Sequence, residues 1–246
     1  MIEQSQMVYE ATDGAFDPTV LPLVRAWGFG PDGRTYRSEE EPNEIKERVG
    51  WEKLEILNSK PDEIFIRKGL PGMELDFNAI AQGYASDILA AELDAKGIDD
   101  YLIDTGGELK AKGKNPENKI WSIGIDRPVD GARELQAILS LDNSSVATSG
   151  NYRKFYVEDG VKYAHTISPF TGEPVTHSLL SATVVSDSCS IADAYATAMM
   201  VLGLEKAKEL IESKGNIEAY LIYSDEQGEY KTWVSEGLRS SISEDL

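Results

Sequence analysis

Tyr101-Leu102-Ile103-Asp104-Thr105-Gly106-Gly107-Glu108-Leu109-Lys110-Ala111-Lys112 is two short runs set apart by a glycine pair. The runs read as strands, 101–104 and 108–112. Gly106-Gly107 suits a tight turn or a close backbone approach, since glycine has no Cβ to obstruct either. Two more strands follow at 120–126 and 134–141, with no helix between them. Parallel neighbours would need a long crossover, usually helical. Strand after strand without one points to an α+β fold, mostly antiparallel sheets with flanking helices.

Working toward the N-terminus, residues 79–95 form the longest helical pattern. Ile80, Ala81, Tyr84, Ile88, Leu89 and Leu93 recur at helical spacing, and Gly97 is a suitable stop. Short strands are expected at 73–76, 63–67 and 54–57, a small amphipathic helix at 43–49, and an exposed polar loop at 31–43. Asp17-Pro18 starts a helix that runs to about Trp27, with aspartate as cap and proline in the first turn. Before it, 6–11 reads as helix, ended at Thr12-Asp13-Gly14.

Toward the C-terminus, 152–157 and 161–167 read as a hairpin turned by Asp159-Gly160. Residues 179–186 form another strand. Helices follow at 191–202 and 205–214, closed by Gly203 and Gly215, then a hairpin of 218–223 and 229–234 around Gln227-Gly228. No linker-like stretch interrupts this order, so residues 1–246 are expected to form a single domain.

Composition excludes several classes. The chain has 41% hydrophobic and 27% charged residues, an ordinary globular mix. Its formal net charge of −19 repels a phosphate backbone, so nucleic-acid binding is not expected. The single cysteine, Cys189, allows neither an intrachain disulfide nor a thiolate zinc cluster, and two histidines, His165 and His177, are too few for a His-rich metal site. No apolar run reaches the ~18 residues of a membrane span. The first residues carry neither the basic nor the apolar region of a signal peptide.

Four constellations could carry chemistry. Asp193 and Thr197 stand four apart on a helix and share a face. A carboxylate and a hydroxyl suit a hard cation, although an aspartate near a helix N-terminus is also favoured by the dipole. Asp76-Phe77-Asn78-Ala79 opens the longest helix, as an anion site or as an ordinary cap. Asp104-Thr105-Gly106-Gly107 follows a strand but lacks the Gly-Lys-Ser/Thr of a Walker loop. Ser149 and His165 are candidates for nucleophile and base, yet no Gly-x-Ser-x-Gly elbow surrounds the serine, and a lone histidine also serves structure.

Taken together and in order, these pieces resemble the ApbE family of FAD:protein FMN transferases. The pieces are Gly14-Ala15-Phe16-Asp17-Pro18-Thr19-Val20, Trp27-Gly28-Phe29-Gly30, the run from Leu75-Asp76 to Ala85, Asp104-Thr105-Gly106-Gly107, 147–153 (which ends at Arg153), 165–174 and 192–203. The run from His165 to Pro174 and Ala192-Asp193-Ala194-Tyr195-Ala196-Thr197-Ala198 discriminate best. The resemblance spans roughly residues 8–203. It implies an α+β domain that binds FAD and Mg²⁺ and transfers FMN to a Ser or Thr hydroxyl of an acceptor flavoprotein, releasing AMP. Alternatives within the same likeness are a Mg²⁺-dependent FAD pyrophosphatase and a catalytically impaired flavin-binding paralogue.

By motif matching, the resemblance places the Asp193 carboxylate, the Thr197 side chain and the backbone carbonyls of Ala79 and Ala196 around Mg²⁺. It places Trp27, Gly28, Phe29, Asp76, Gln82 and Ile167 against FAD, and gives His165 the role of base. Mg²⁺ would offset the pyrophosphate charge and that developing on the transferred phosphorus. Two departures stand out. Gln82 occupies a position where many members carry lysine. The chain also begins just before the first motif, so it is expected to lack the family's N-terminal segment. A missing strand would leave an unpaired sheet edge and an opened flavin site, with either weak or absent FAD binding or repair of the edge by a homodimer as the expected consequence. Members are usually exported lipoproteins, but no signal peptide or lipobox is found in these residues, which leaves the compartment open.

Overall fold

The computed structural model describes residues 1–30, 41–60, 63–129, 134–151, 155–158 and 161–244. Its helices are α1 (Ile2–Ala11), α2 (Leu21–Ala26), α3 (Glu41–Lys46), α4 (Ala81–Ala95), α5 (Cys189–Leu202) and α6 (Leu204–Ser213). Its strands are β1 (Leu54–Lys60), β2 (Glu63–Lys68), β3 (Tyr101–Thr105), β4 (Glu108–Lys112), β5 (Trp121–Asp126), β6 (Leu135–Leu141), β7 (Ser145–Gly150), β8 (Phe155–Glu158), β9 (Val161–Ala164), β10 (Leu179–Ser186), β11 (Ile217–Ser224), β12 (Tyr230–Val234) and β13 (Ile242–Ser243). The fold is α+β, and every strand pair in it is antiparallel.

A six-stranded sheet in the order β12-β11-β10-β7-β4-β3 forms the centre, and β13-β6-β5 form a second sheet. Period-two alternation sends the central strands' side chains to two different cores. Ala182 and Val184 of β10, Ala219 and Leu221 of β11, and Ala147 of β7 pack with α5. Val146, Tyr220 and Ile222 from the same strands pack instead with Leu139 and Leu141 of β6 and Ile125 of β5. The central sheet is thus covered on one face by α5 and on the other by the smaller sheet.

Helix α5 is the buried axis of the first core. All of its residues except Thr197 and Leu202 are buried, as expected of a helix without a polar face. Its N-terminus is held from outside. The Asp87 carboxylate of α4 accepts from the backbone N–H groups of Cys189 (3.0 Å) and Ser190 (3.0 Å) and from the Ser188 and Ser190 hydroxyls. Lys110 of β4 pairs with the same carboxylate at 3.1 Å. Burial works against the charge on Asp87, but these donors outweigh it and hold the carboxyl below its ordinary value. A short polar residue on one helix thereby caps another.

Gly83 explains how closely α4 and α5 approach. A Cβ at this position would lie 2.4 Å from the Cys189 carbonyl oxygen and 2.8 Å from the Ser190 Cα, both backbone atoms that have no flexible end to move aside. At the far end of α5, Gly203 adopts φ +78°, and the His177 imidazole bonds the Met200 carbonyl at 2.7 Å through Nε2.

The strand expected at 73–76 does not form. Its backbone groups are used elsewhere: the Asp76 N–H donates to the Pro18 carbonyl (2.7 Å) and the Met73 carbonyl accepts from Lys68 Nζ (3.0 Å). The helix expected from Ala79 starts at Ala81, after a turn. The helix expected from Asp17 to Trp27 is instead a 3₁₀ turn, Pro18–Val20, followed by α2. Strand β7, central to the larger sheet, was not expected. The turn expected at Asp159-Gly160, Arg153 and most of the 31–43 loop lie outside the described residues.

Gly83→Ala should therefore lower stability by about 1–3 kcal/mol, the usual cost of overpacking, read as a lower denaturation midpoint in urea. A midpoint equal to that of wild type would show that the two helices separate freely. His177 gives a second expectation. Burial lowers its pKa from the ordinary 6.5, so the folded state binds fewer protons than the unfolded chain. The stability contributed by neutral His177 is present above that ordinary value and is lost as pH falls below it. The stability difference between wild type and His177→Gln should accordingly shrink from pH 8 to pH 5; a difference independent of pH would contradict this.

Candidate functional site

A cavity of about 860 Å³ opens where α5, the start of α4, β4, β5 and β7 converge. That is within the ~300–1,000 Å³ usual for small-molecule sites. Its apolar wall includes Phe16, Val20, Val24, Phe29, Leu109, Ile123, Ile125 and Ile167. Its polar wall is acidic: Asp17, Asp76, Asp104, Glu108, Asp126 and Asp193. Among the described residues no lysine or arginine lines it, and His165 is the only basic side chain that does.

Asp193 is set by the packing of α4 on α5. Its Oδ2 accepts from the Gly83 N–H at 3.1 Å, a helix-start donor aimed at a carboxylate on the neighbouring helix. Asp193 is only 5% exposed. Burial pushes its carboxyl up to about 6, against the pull of the Gly83 N–H. One helical turn on, the Thr197 hydroxyl is 3.2 Å from the Ser149 hydroxyl of β7. Asp193, Thr197, Ser149 and Ala79 all line the cavity. Ala196 is fully buried and does not.

Glu108 is the site residue that motif reading passed over. It begins β4, straight after the glycine pair, and is 8% exposed. Its carboxyl is pushed up to about 7, first by burial and then by the negative charge of Asp193. Its Oε2 is buried and accepts no hydrogen bond. Nothing in hydrophobic periodicity marks a strand-initial glutamate as buried, which is why the sequence alone did not single it out.

The other expected residues divide. Phe29, Asp76, Gln82, His165 and Ile167 line the cavity, whereas Trp27 and Gly28 do not. The Trp27 indole donates to the Gly172 carbonyl at 2.7 Å and stacks on Tyr163 at 5.8 Å between centroids. Phe29 meets the His165 ring edge-on at 6.4 Å. The Gln82 amide donates to the Thr105 carbonyl at 3.3 Å, over Gly106, where any Cβ would collide with it. The Asp76 carboxylate accepts from the Asn78 N–H at 2.8 Å and shapes the turn before α4. Buried Asp17 accepts from the Thr19 N–H and hydroxyl, and burial raises its pKa.

The donor set fits a hard divalent cation. Two buried carboxylates, one with an unused oxygen, stand with hydroxyls and, among the described residues lining the cavity, with no lysine or arginine, and oxygen ligands of this kind are what Mg²⁺ takes. Among the described residues there is no cluster of three or more His, Cys, Asp or Glu poised around one point. Such a cation would therefore depend on hydroxyl, carbonyl, water or ligand oxygens for the rest of its shell. Also among the described residues, no helix is long and apolar enough to cross a membrane.

Asp193→Asn should test the cost of this arrangement. It removes the buried charge while keeping an acceptor for Gly83. In EDTA at pH 8 its melting temperature should equal or exceed that of wild type; a drop of several degrees would mean that the charge itself stabilises the fold.

Comparison with known proteins gives a consistent result. A sequence model of the ApbE family matches residues 1–221. The FAD:protein FMN transferase of Escherichia coli K12 is 37% identical over 244 residues, covering 98% of this chain and 69% of the relative. The protein of the same name from Klebsiella pneumoniae is 38% identical, covering 94% and 66%. Among solved structures, the flavin transferase ApbE of Vibrio cholerae superposes with a TM-score of 0.86 at 34% identity, over 98% of this chain and 75% of that one. The apo flavinyl transferase ApbE of Pseudomonas stutzeri gives 0.83 at 36% identity, over 96% and 72%.

Proposed function

This chain belongs to the ApbE family, and from that premise we propose that it transfers FMN from FAD to a Ser or Thr hydroxyl of an acceptor protein, with Mg²⁺ as cofactor and AMP as leaving group. The observation that carries the reading is convergence. Phe29, Asp76, Gln82, His165, Ile167, Asp193 and Thr197 come from four separate segments of the chain and line one cavity.

The cavity's charge supports a cation cofactor. FAD brings an anionic pyrophosphate to a wall of six carboxylates with no described lysine or arginine. Without a cation that encounter is repulsive. Asp193, Thr197, the Ala79 carbonyl and, from α5, the Ala196 carbonyl are the groups we assign to Mg²⁺. When bound, it would neutralise phosphate charge and act as a Lewis acid at the transferred phosphorus.

The chain's own residues account for the remaining roles. Phe29 and Ile167 offer apolar surface to the flavin ring, and Trp27 packs in the same apolar cluster as both. Asp76 offers polar contact at the start of α4, and Gln82 holds the Thr105-Gly106 turn in place. An imidazole nitrogen of His165 takes the acceptor hydroxyl's proton. The acceptor oxygen bonds to the FMN phosphorus, and the bond from that phosphorus to the AMP oxygen breaks. Proximity does much of the work, since the protein makes no covalent intermediate in this scheme.

Incubating the purified chain with FAD, Mg²⁺ and an acceptor domain that carries a flavinylation threonine should release AMP and raise the acceptor's mass by one FMN. EDTA should abolish both. His165→Ala should slow transfer by about 10²–10⁴-fold while FAD binding persists. AMP with only free FMN would make the chain a pyrophosphatase, and no AMP with any divalent cation would overturn the assignment.

A further inference from the structure

We infer that Glu108 supplies a second carboxylate to the divalent-cation site, alongside Asp193; the inference rests on the reading above that Asp193 and Thr197 hold Mg²⁺. Glu108 lines the same cavity, is 92% removed from solvent by its 8% exposure, and has a buried Oε2 with no hydrogen-bond partner. A buried carboxylate oxygen without a donor is costly, and native proteins pair such groups or give them a metal. The charges that bear on it are those of Asp193 and Asp104, both of the same sign. Among the described residues that line the cavity, none offers a lysine or arginine to compensate. A cation is the partner that this arrangement calls for.

The backbone around Glu108 is fixed by two neighbouring elements. The Ser86 hydroxyl of α4 donates to the Glu108 carbonyl at 2.9 Å and also bonds the Thr105 hydroxyl at 2.8 Å. Thr105 pairs with Glu108 across the β3–β4 hairpin. Gly106 and Gly107 take φ +72° and +112°, a turn that favours glycine and sets the strand's first residue against the cavity. Helix α4 thus bonds both residues: the Asp193 carboxylate through the Gly83 N–H, and the Glu108 backbone carbonyl through Ser86. Two carboxylates contribute more to cation affinity than one, and neutralising either should weaken binding before any nucleotide is present.

The test is Mn²⁺ binding to the EDTA-stripped full chain without nucleotide, read by the loss of the free-ion electron paramagnetic resonance signal and by the Mn²⁺-induced rise in melting temperature. Glu108→Gln should weaken Mn²⁺ at least tenfold and shrink the thermal rise, with Glu108→Asp falling between it and wild type. Mn²⁺ affinity within twofold of wild type in Glu108→Gln would overturn the inference, and lost transfer beside unchanged affinity would make Glu108 a proton-transfer group instead. Should Glu108→Gln fail to fold, Glu108→Asp decides: at least threefold weaker binding supports the inference and unchanged binding overturns it. If wild type takes no Mn²⁺ with or without FAD, the cation reading falls and this inference with it. If wild type binds and both variants bind equally well, only the role of Glu108 fails.

Discussion

Gly83 lets the backbone of α4 touch the backbone of α5, and the site is built around that contact. The absent Cβ leaves room for the Cys189 carbonyl and the Ser190 Cα. The same residue's N–H bonds the Asp193 carboxylate. One turn later in α4, Asp87 caps the N-terminus of α5, with Lys110 of β4 closing the cluster. Packing and site geometry therefore share their determinants. Any change that separates the helices also moves the carboxylate that faces the cavity.

The cavity sets stability against function. Asp193 and Glu108 are buried near one another with no lysine or arginine among the described residues that line the cavity, and burial pushes both carboxyls upward. In a purely structural core, apolar residues of similar volume would serve better. The arrangement makes sense where a divalent cation and an anionic ligand complete it. Binding free energy then offsets what the empty fold gives up, and such a protein is more stable when loaded than when stripped.

Much of this was legible in the residues. The α+β class followed from strands that succeed one another without crossover helices, and strand 179–186 has the predicted bounds, its Val184-Val185 end giving way to Ser186, Asp187 and Ser188. The Asp193/Thr197 pair was visible because α5 keeps its 3.6-residue period among alanines. Strand β7 was not visible: Ser145, Thr148 and Ser149 interrupt its apolar character, and its place comes from ladders to β10 and β4 that only the tertiary structure supplies. The strand expected at 73–76 failed for the converse reason, since Pro18 and Lys68 take backbone groups that a ladder would need. Glu108 was missed because a buried carboxylate at a strand start has no periodic signature. Trp27 matched a ligand-contacting position by motif, yet it packs on Tyr163 and Gly172 beside the cavity's lining, a distinction that turns on side-chain direction.

The proposed cation has one location, and diffraction with an anomalous scatterer addresses it most directly. Crystals of the full chain grown with Mn²⁺ and FAD should show an anomalous peak within coordination distance of the Asp193 carboxylate and the Thr197 hydroxyl, with the FAD phosphates on its open side. A well-occupied peak elsewhere, or FAD bound in the cavity with no peak at Asp193, would contradict it.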